Sequence, residues 1–177
     1  FIALTPNPNL NKIISGLKGR QKKFLLKNQK VTWSKDQQHH ITLNFIGSME
    51  PEQKNEMFEN LNNRSGFKNL PIEIDSLSYF PNEDGQMLVA NIALTPRLQT
   101  LFDEVEKLVA RIGFGMALKT FRPHITLARF KEKKRPFSEI IQLEESISTT
   151  MESIDVYEST FVSGKTLHKL IQTYSFE

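Results

Sequence analysis

Two histidines in this chain are each followed, two residues on, by a threonine. The segments are His40-Ile-Thr-Leu43 and His124-Ile-Thr-Leu127, one tetrapeptide occurring twice with its histidines 84 positions apart. Side chains alternate between the faces of a β-strand, so His40 and Thr42 share one face and Ile41 and Leu43 the other. His124 and Thr126 are related to Ile125 and Leu127 in the same way. Each aliphatic pair anchors its strand in a core, while an imidazole and a hydroxyl about 7 Å apart face whatever lies opposite. Two such strands brought face to face would gather two imidazoles and two hydroxyls in a polar cleft. Imidazole titrates near pH 6.5, so a neutral and a protonated ring can coexist close to neutrality. The neutral ring takes a proton from an attacking water; the protonated ring gives one to a departing oxygen, each typically contributing ~10²–10⁴-fold. Threonine hydroxyls suit the non-bridging oxygens of a phosphodiester, with a nearby cation to stabilise developing charge. The chemistry indicated is phosphodiester cleavage without a metal, and a strained five-membered cyclic phosphate is a fitting substrate.

One such tetrapeptide would mean little, since it fixes only two residue types and a lone strand histidine is usually structural. The repetition carries the weight. His39 beside His40 invites a metal reading, but neighbouring strand residues face opposite ways, and no H-E-x-x-H spacing exists. No metal and no cofactor is expected. His168 reads as a surface or strand-filling residue. Trp33, Phe45 and Tyr79 are candidates for stacking on a base, although most aromatics among 13 phenylalanines belong to a core.

The elements that must position these groups follow from periodicity and punctuation. Phe1–Thr5 reads as a short buried strand ended by Pro6 and Pro8. Leu10, Ile13, Ile14 and Leu17 recur at helical spacing with Asn7 or Asn9 as cap, and Gly16 and Gly19 weaken the helix's second half. Val31–Trp33 suits an edge strand and His40–Ile46 a strand stopped by Gly47. Glu50-Pro51 opens a helix carrying Met57, Phe58 and Leu61. Leu70–Phe80 and Gln86–Leu94 form a hairpin around Pro81–Gly85. Thr95-Pro96 starts a helix whose apolar stripe, Leu98 to Ile112, stops at Gly113. His124–Phe130 is a strand, Lys131–Pro136 a charged loop, and Phe137–Leu143 a short helical or irregular segment. Met151–Val162 and Leu167–Phe176 close the chain as strands. The mixed order predicts an α+β protein with largely antiparallel sheets. The repeated motif predicts a bilobal single domain over residues 1–177, its halves related by a pseudo-two-fold about a central cleft.

Composition sets the outer limits. At 177 residues the chain can bury a substantial core without staples, and it has no cysteine for disulfides or thiolate metal sites. There is no apolar run of membrane-spanning length and no signal peptide, so a cytoplasmic monomer is expected. Twenty-three basic against 20 acidic residues give a net charge of +3. The basic residues gather at Lys18–Lys30 and at Arg129–Arg135, as solvated faces or as attractors of polyanions.

The segments His40-Ile-Thr-Leu-Asn-Phe-Ile-Gly47 and Phe121-Arg-Pro-His-Ile-Thr-Leu-Ala-Arg129 resemble the 2H phosphoesterase superfamily. The likeness is to its LigT-like RNA 2′,3′-cyclic phosphodiesterase branch, also called 2′-5′ RNA ligases. The opening strand, the Phe80-Pro81 turn and Ser159 fit the same pattern. The resemblance implies a bilobal α+β fold around an open cleft, and metal-free hydrolysis of RNA 2′,3′-cyclic phosphate ends to 2′-phosphates. It implies His40 as proton donor to the leaving 3′ oxygen, His124 as proton acceptor, and Thr42, Thr126 and Arg129 as phosphate contacts. It also embraces phosphodiesterases and ligases of 2′-5′-linked or small cyclic nucleotides. Strand parity conflicts with one of these roles: an offset of five from His124 sends Arg129 to the opposite face unless a bulge or strand end intervenes. Gln38 and His39 depart from the family's usual asparagine and aliphatic residue. A different class, a non-catalytic RNA-binding module using the cleft only for docking, would not need two titrating groups.

Overall fold

The computed structural model describes residues 1–23, 30–63, 69–82, 85–115, 120–131, 141–162 and 165–176. Nine strands and three helices occur among them, in the order β1 (Ile2–Leu4), α1 (Pro8–Lys22), β2 (Val31–Trp33), β3 (Ile41–Asn44), α2 (Pro51–Asn62), β4 (Leu70–Phe80), β5 (Met87–Ile92), α3 (Pro96–Arg111), β6 (His124–Phe130), β7 (Ile141–Met151), β8 (Ser153–Val162) and β9 (Lys165–Ser175). A 3₁₀ turn over Asp36–Gln38 leads into His39 and His40. The strands form two antiparallel sheets, ordered β3-β1-β8-β9 and β2-β6-β5-β4-β7. The first tetrapeptide lies at the edge of one sheet and the second inside the other. The α+β architecture expected from the sequence is what the chain adopts.

The helices start where their caps predict. The Asn7 side chain accepts from the Leu10 backbone N–H at 2.9 Å, and the Thr95 hydroxyl from that of Leu98 at 3.2 Å. Gly16 and Gly19 do not end α1, which continues to Lys22. Each glycine costs about 1 kcal/mol against alanine, and burial of Leu10, Ile14 and Leu17 offsets this. Helix α3 buries Leu98, Leu101, Val105, Leu108 and Val109, touches both β3 and β4, and so spans the two sheets. Gly113 follows it at φ 95°, a left-handed conformation that glycine adopts without steric penalty. The apolar residues of both sheets and all three helices join in one hydrophobic core.

Three expectations need correction. Ile141–Leu143 belongs not to a helical or irregular segment but to β7, an 11-residue edge strand. Its polar sequence hides the alternation of Ile141, Leu143, Ile147 and Met151, and among the described residues it pairs with β4 alone, with a break in register. The rest of that segment, the charged loop from residue 132, and Lys27 lie outside the described residues. Lys18 does not belong to a solvated basic face. It is buried, with its Nζ 2.9 Å from the Ser34 carbonyl and 3.1 Å from Asp36, whereas Arg20, Lys22, Lys23 and Lys30 are exposed. Tyr79 is buried at 4% exposure and edge-on to Phe130, a core residue rather than a base-stacking one.

Candidate active site

The two motif histidines are held alike. His40 Nδ1 donates to the Gln38 carbonyl at 2.8 Å, and His124 Nδ1 donates to the Arg122 carbonyl at 2.7 Å. In each case the acceptor lies two residues upstream. A carbonyl can only accept, so each neutral ring carries its proton on Nδ1 and leaves Nε2 as an acceptor. His40 packs 5.0 Å from the Phe1 ring, and His124 stacks on Phe80 at 4.1 Å. The Arg122 guanidinium covers Phe80 at 4.9 Å and donates to the Pro81 carbonyl, which closes the His124 side.

The motif strands also carry the same irregularity. Between β3 and β1, Ala3 faces Thr42 but Ile2 faces Asn44, so Leu43 is an extra residue. Between β6 and β5, Val89 faces Thr126 but Leu88 faces Ala128, so Leu127 is extra. Each bulge falls on the leucine of the tetrapeptide and shifts the alternation by one. Leu43 and Asn44 are consecutively buried, as are Leu127 and Ala128. The next residue in each strand, Phe45 or Arg129, returns to the face of the histidine and threonine. The bulge at Leu127 thus removes the parity conflict over Arg129. It also makes Phe45, 74% exposed, the counterpart of Arg129 in the other half.

The halves meet at these strands. β3 and β6 are in contact although they belong to different sheets. Thr42 and Thr126 are half-buried beside their histidines, and Arg129 Nη1 lies 2.8 Å from the Met87 sulfur across the pair. Beside the second motif, Asn91 faces His124 across β5–β6 and exchanges hydrogen bonds with Ser78, also donating to Ser76 at 3.1 Å. His39 is buried, at 1% exposure. Lys18 Nζ donates to its Nε2 at 3.1 Å, so its Nδ1 donates to Asn11 Oδ1 at 2.7 Å. The ring is a strut between α1 and the 3₁₀ turn. Trp33 packs half-buried against the core with Lys22 over its ring.

His168 is the residue that sequence reasoning underrated. Its ring meets His40 edge-on at 5.8 Å and Phe1 at 4.9 Å, with Nδ1 3.0 Å from Ser159 Oγ. Nothing in its local sequence marks it, because strand pairing across the β8–β9 hairpin is what carries it there.

Burial pushes His40 down from 6.5 to about 4; the Gln38 carbonyl opposes this, and the positive charges of His168, His124 and Arg129 add to it. His124 is lowered too, first by burial and then by Arg122 and Arg129, against the pull of the Arg122 carbonyl. Among the described residues, every charged group acting on these two rings is a cation. These surroundings disfavour protonated histidine and would welcome an anion. Among the described residues no three histidine, aspartate or glutamate side chains group as metal ligands. No helix there is long and apolar enough to cross a membrane.

Comparison with known proteins fits this arrangement. The family described as LigT like Phosphoesterase matches residues 4–90 and again 91–167, one tetrapeptide in each segment. An RNA 2′,3′-cyclic phosphodiesterase of Thermotoga maritima is 25% identical over 181 residues, covering 100% of this chain and 95% of that protein. A protein of the same name from Aeropyrum pernix is 35% identical over 98 residues, 54% of this chain and 55% of its own. The crystal structure of E. coli LigT complexed with 3′-AMP superposes with a TM-score of 0.76 at 19% identity, covering 99% of this chain and 96% of the other.

Proposed function

Because the chain belongs to the LigT-like phosphoesterase family, we propose that it hydrolyses RNA 2′,3′-cyclic phosphate ends to 2′-phosphates by metal-free acid–base catalysis. Water attacks phosphorus and passes a proton to His124 Nε2. The bond from phosphorus to the 3′ oxygen breaks, and that oxygen takes a proton from His40. The products are a 2′-phosphate and a free 3′-hydroxyl; solvent restores the two protonation states. Thr42, Thr126 and Arg129 hold the non-bridging oxygens, where charge builds in the transition state. The observation that carries this reading is the matched pair of histidines, each fixed through Nδ1 with Nε2 left for the reactants. The names borne by the relatives support the choice of substrate. The assignment of donor and acceptor rests on the family resemblance, since burial and the neighbouring cations lower both rings.

The test is a short RNA ending in a 2′,3′-cyclic phosphate, incubated with wild type, His40→Ala and His124→Ala in excess chelator. Wild type should release a 2′-phosphate end, and each variant should lose roughly 10²–10⁴-fold while keeping its fold by circular dichroism. Binding by the wild type with no turnover would favour an RNA-docking module. Loss of activity in chelator, restored by zinc or manganese, would overturn the metal-free mechanism. Parallel assays with 2′-5′-linked dinucleotides and small cyclic nucleotides, in both directions, decide among the related reactions.

A further inference from the structure

In-line displacement places the attacking water and the leaving oxygen on opposite sides of phosphorus. If His40 protonates the 3′ oxygen, the terminal ribose and its base lie on the His40 wall. That wall is continued by the β8–β9 hairpin. Ser159 pairs with His168 and Phe161 with Thr166, and strand alternation puts both pairs on the ribbon face that meets His40. The ribbon therefore presents His168 next to the acid and Phe161 one step, about 7 Å, farther out. Phe161 is 76% exposed, and no ring packs on it among the described residues. Ser159 occupies only Nδ1 of His168, and Nε2 has no hydrogen-bond partner among the described residues.

We propose that this face of the hairpin is the nucleoside subsite: Phe161 stacks on the base of the 3′-terminal nucleotide, and His168 Nε2 hydrogen-bonds to that nucleotide between its base and its cyclic phosphate. The proposal deepens the phosphodiesterase reading and rests on its placement of the leaving group. A nucleobase suits Phe161 because any base offers a π-face, so the subsite tolerates sequence while requiring a base. Phe45 is the competing platform on the same wall, but its ring already packs on Phe1 at 5.5 Å.

The experiment compares two RNA oligonucleotides with 2′,3′-cyclic phosphate ends, one with an ordinary terminal nucleotide and one with an abasic terminal ribose. Wild type should prefer the ordinary end by roughly tenfold or more in kcat/KM. Phe161→Ala should remove most of that preference, mainly through KM, and leave turnover of the abasic end unchanged. His168→Phe keeps the ring packing and His168→Gln keeps a donor. The first should weaken use of the ordinary end roughly tenfold, and the second should restore part of it. Preference unchanged in Phe161→Ala, or erased instead by Phe45→Ala, overturns the proposal, as does a loss in Phe161→Ala that is equal on both ends. Binding of the corresponding 2′-phosphate-ended oligonucleotides reads the same subsite without turnover. An inactive wild type whose base-dependent binding is lost in Phe161→Ala sinks the enzymatic reading and leaves the subsite standing.

Discussion

At the scale of single residues, the arrangement resolves a tension between burial and acid–base work. The proposed donor must be protonated, yet burial holds the free His40 ring at about 4 and also lowers His124. A bound phosphate supplies the missing opposite charge, and an anion within a few ångströms typically raises an imidazole by about 1–3 units. NMR titration should therefore find both rings below 6.5 in the free protein and shifted upward by inorganic phosphate. Rings that ignore phosphate would show that no anion binds between them. In kinetics, kcat/KM reports the free enzyme and kcat the complex, so the donor's limb of a bell-shaped profile should lie at higher pH in kcat. Arg129→Ala should lower kcat/KM roughly 10²-fold and also raise the free pKa of His40 and His124, because a repelling cation is gone. Retained activity with unmoved pKa values would place Arg129 outside the site. The meeting of the two motif strands was legible in the sequence because repetition announces it. Arg129 was legible only as a contradiction, since period-two alternation cannot foresee which residue a bulge inserts. His168 was not legible: its position depends on pairing between strands that share no motif.

At the scale of elements, what counts is how the approach to His40 is held. The 3₁₀ turn is tied to α1 by Lys18 and Asn11 through His39 and by Ser15 and Lys18 through Asp36. His39 was expected to face away from its neighbour, and it does; that Lys18 would follow it inside was not legible, because a lysine among basic residues looks solvated. Asn11→Ala leaves a buried imidazole N–H without an acceptor and should cost about 1–3 kcal/mol, with kcat falling as the turn loosens under His40. Asn11→Asp keeps an acceptor and should retain most of the stability. Urea denaturation of the two variants checks this, and equal stability of both would show that the His39–Asn11 hydrogen bond does not hold the turn. The edge strand β7 teaches the converse lesson: a strand paired on one side only can be polar enough to lose its periodic signature.

At the scale of the molecule, the two sheets are linked where the two motif strands meet. Asn44, just past the first bulge, donates to buried Glu106 of α3, and α3 also touches β4 of the other sheet. The motif strands are thus fixed by one core, and the stability of that core is coupled to the ionisation of the site. His39 and His40 are both lowered to about 4 from 6.5, so below pH 6.5 the unfolded chain binds protons that the folded chain refuses. Stability is full above pH 6.5 and falls as pH drops from there toward 4. For His39, fully enclosed, a gap of this size corresponds to about 3 kcal/mol as an upper figure. The urea midpoint should therefore decline steadily between pH 7 and pH 4.5, and His39→Gln should flatten that slope even if it lowers stability at pH 7. Inorganic phosphate should act in the opposite sense at His40, since an anion that binds only the folded site and favours the protonated ring restores stability on the acid side. If His39→Gln keeps the full slope, protonation of this strut is not what limits the fold at low pH.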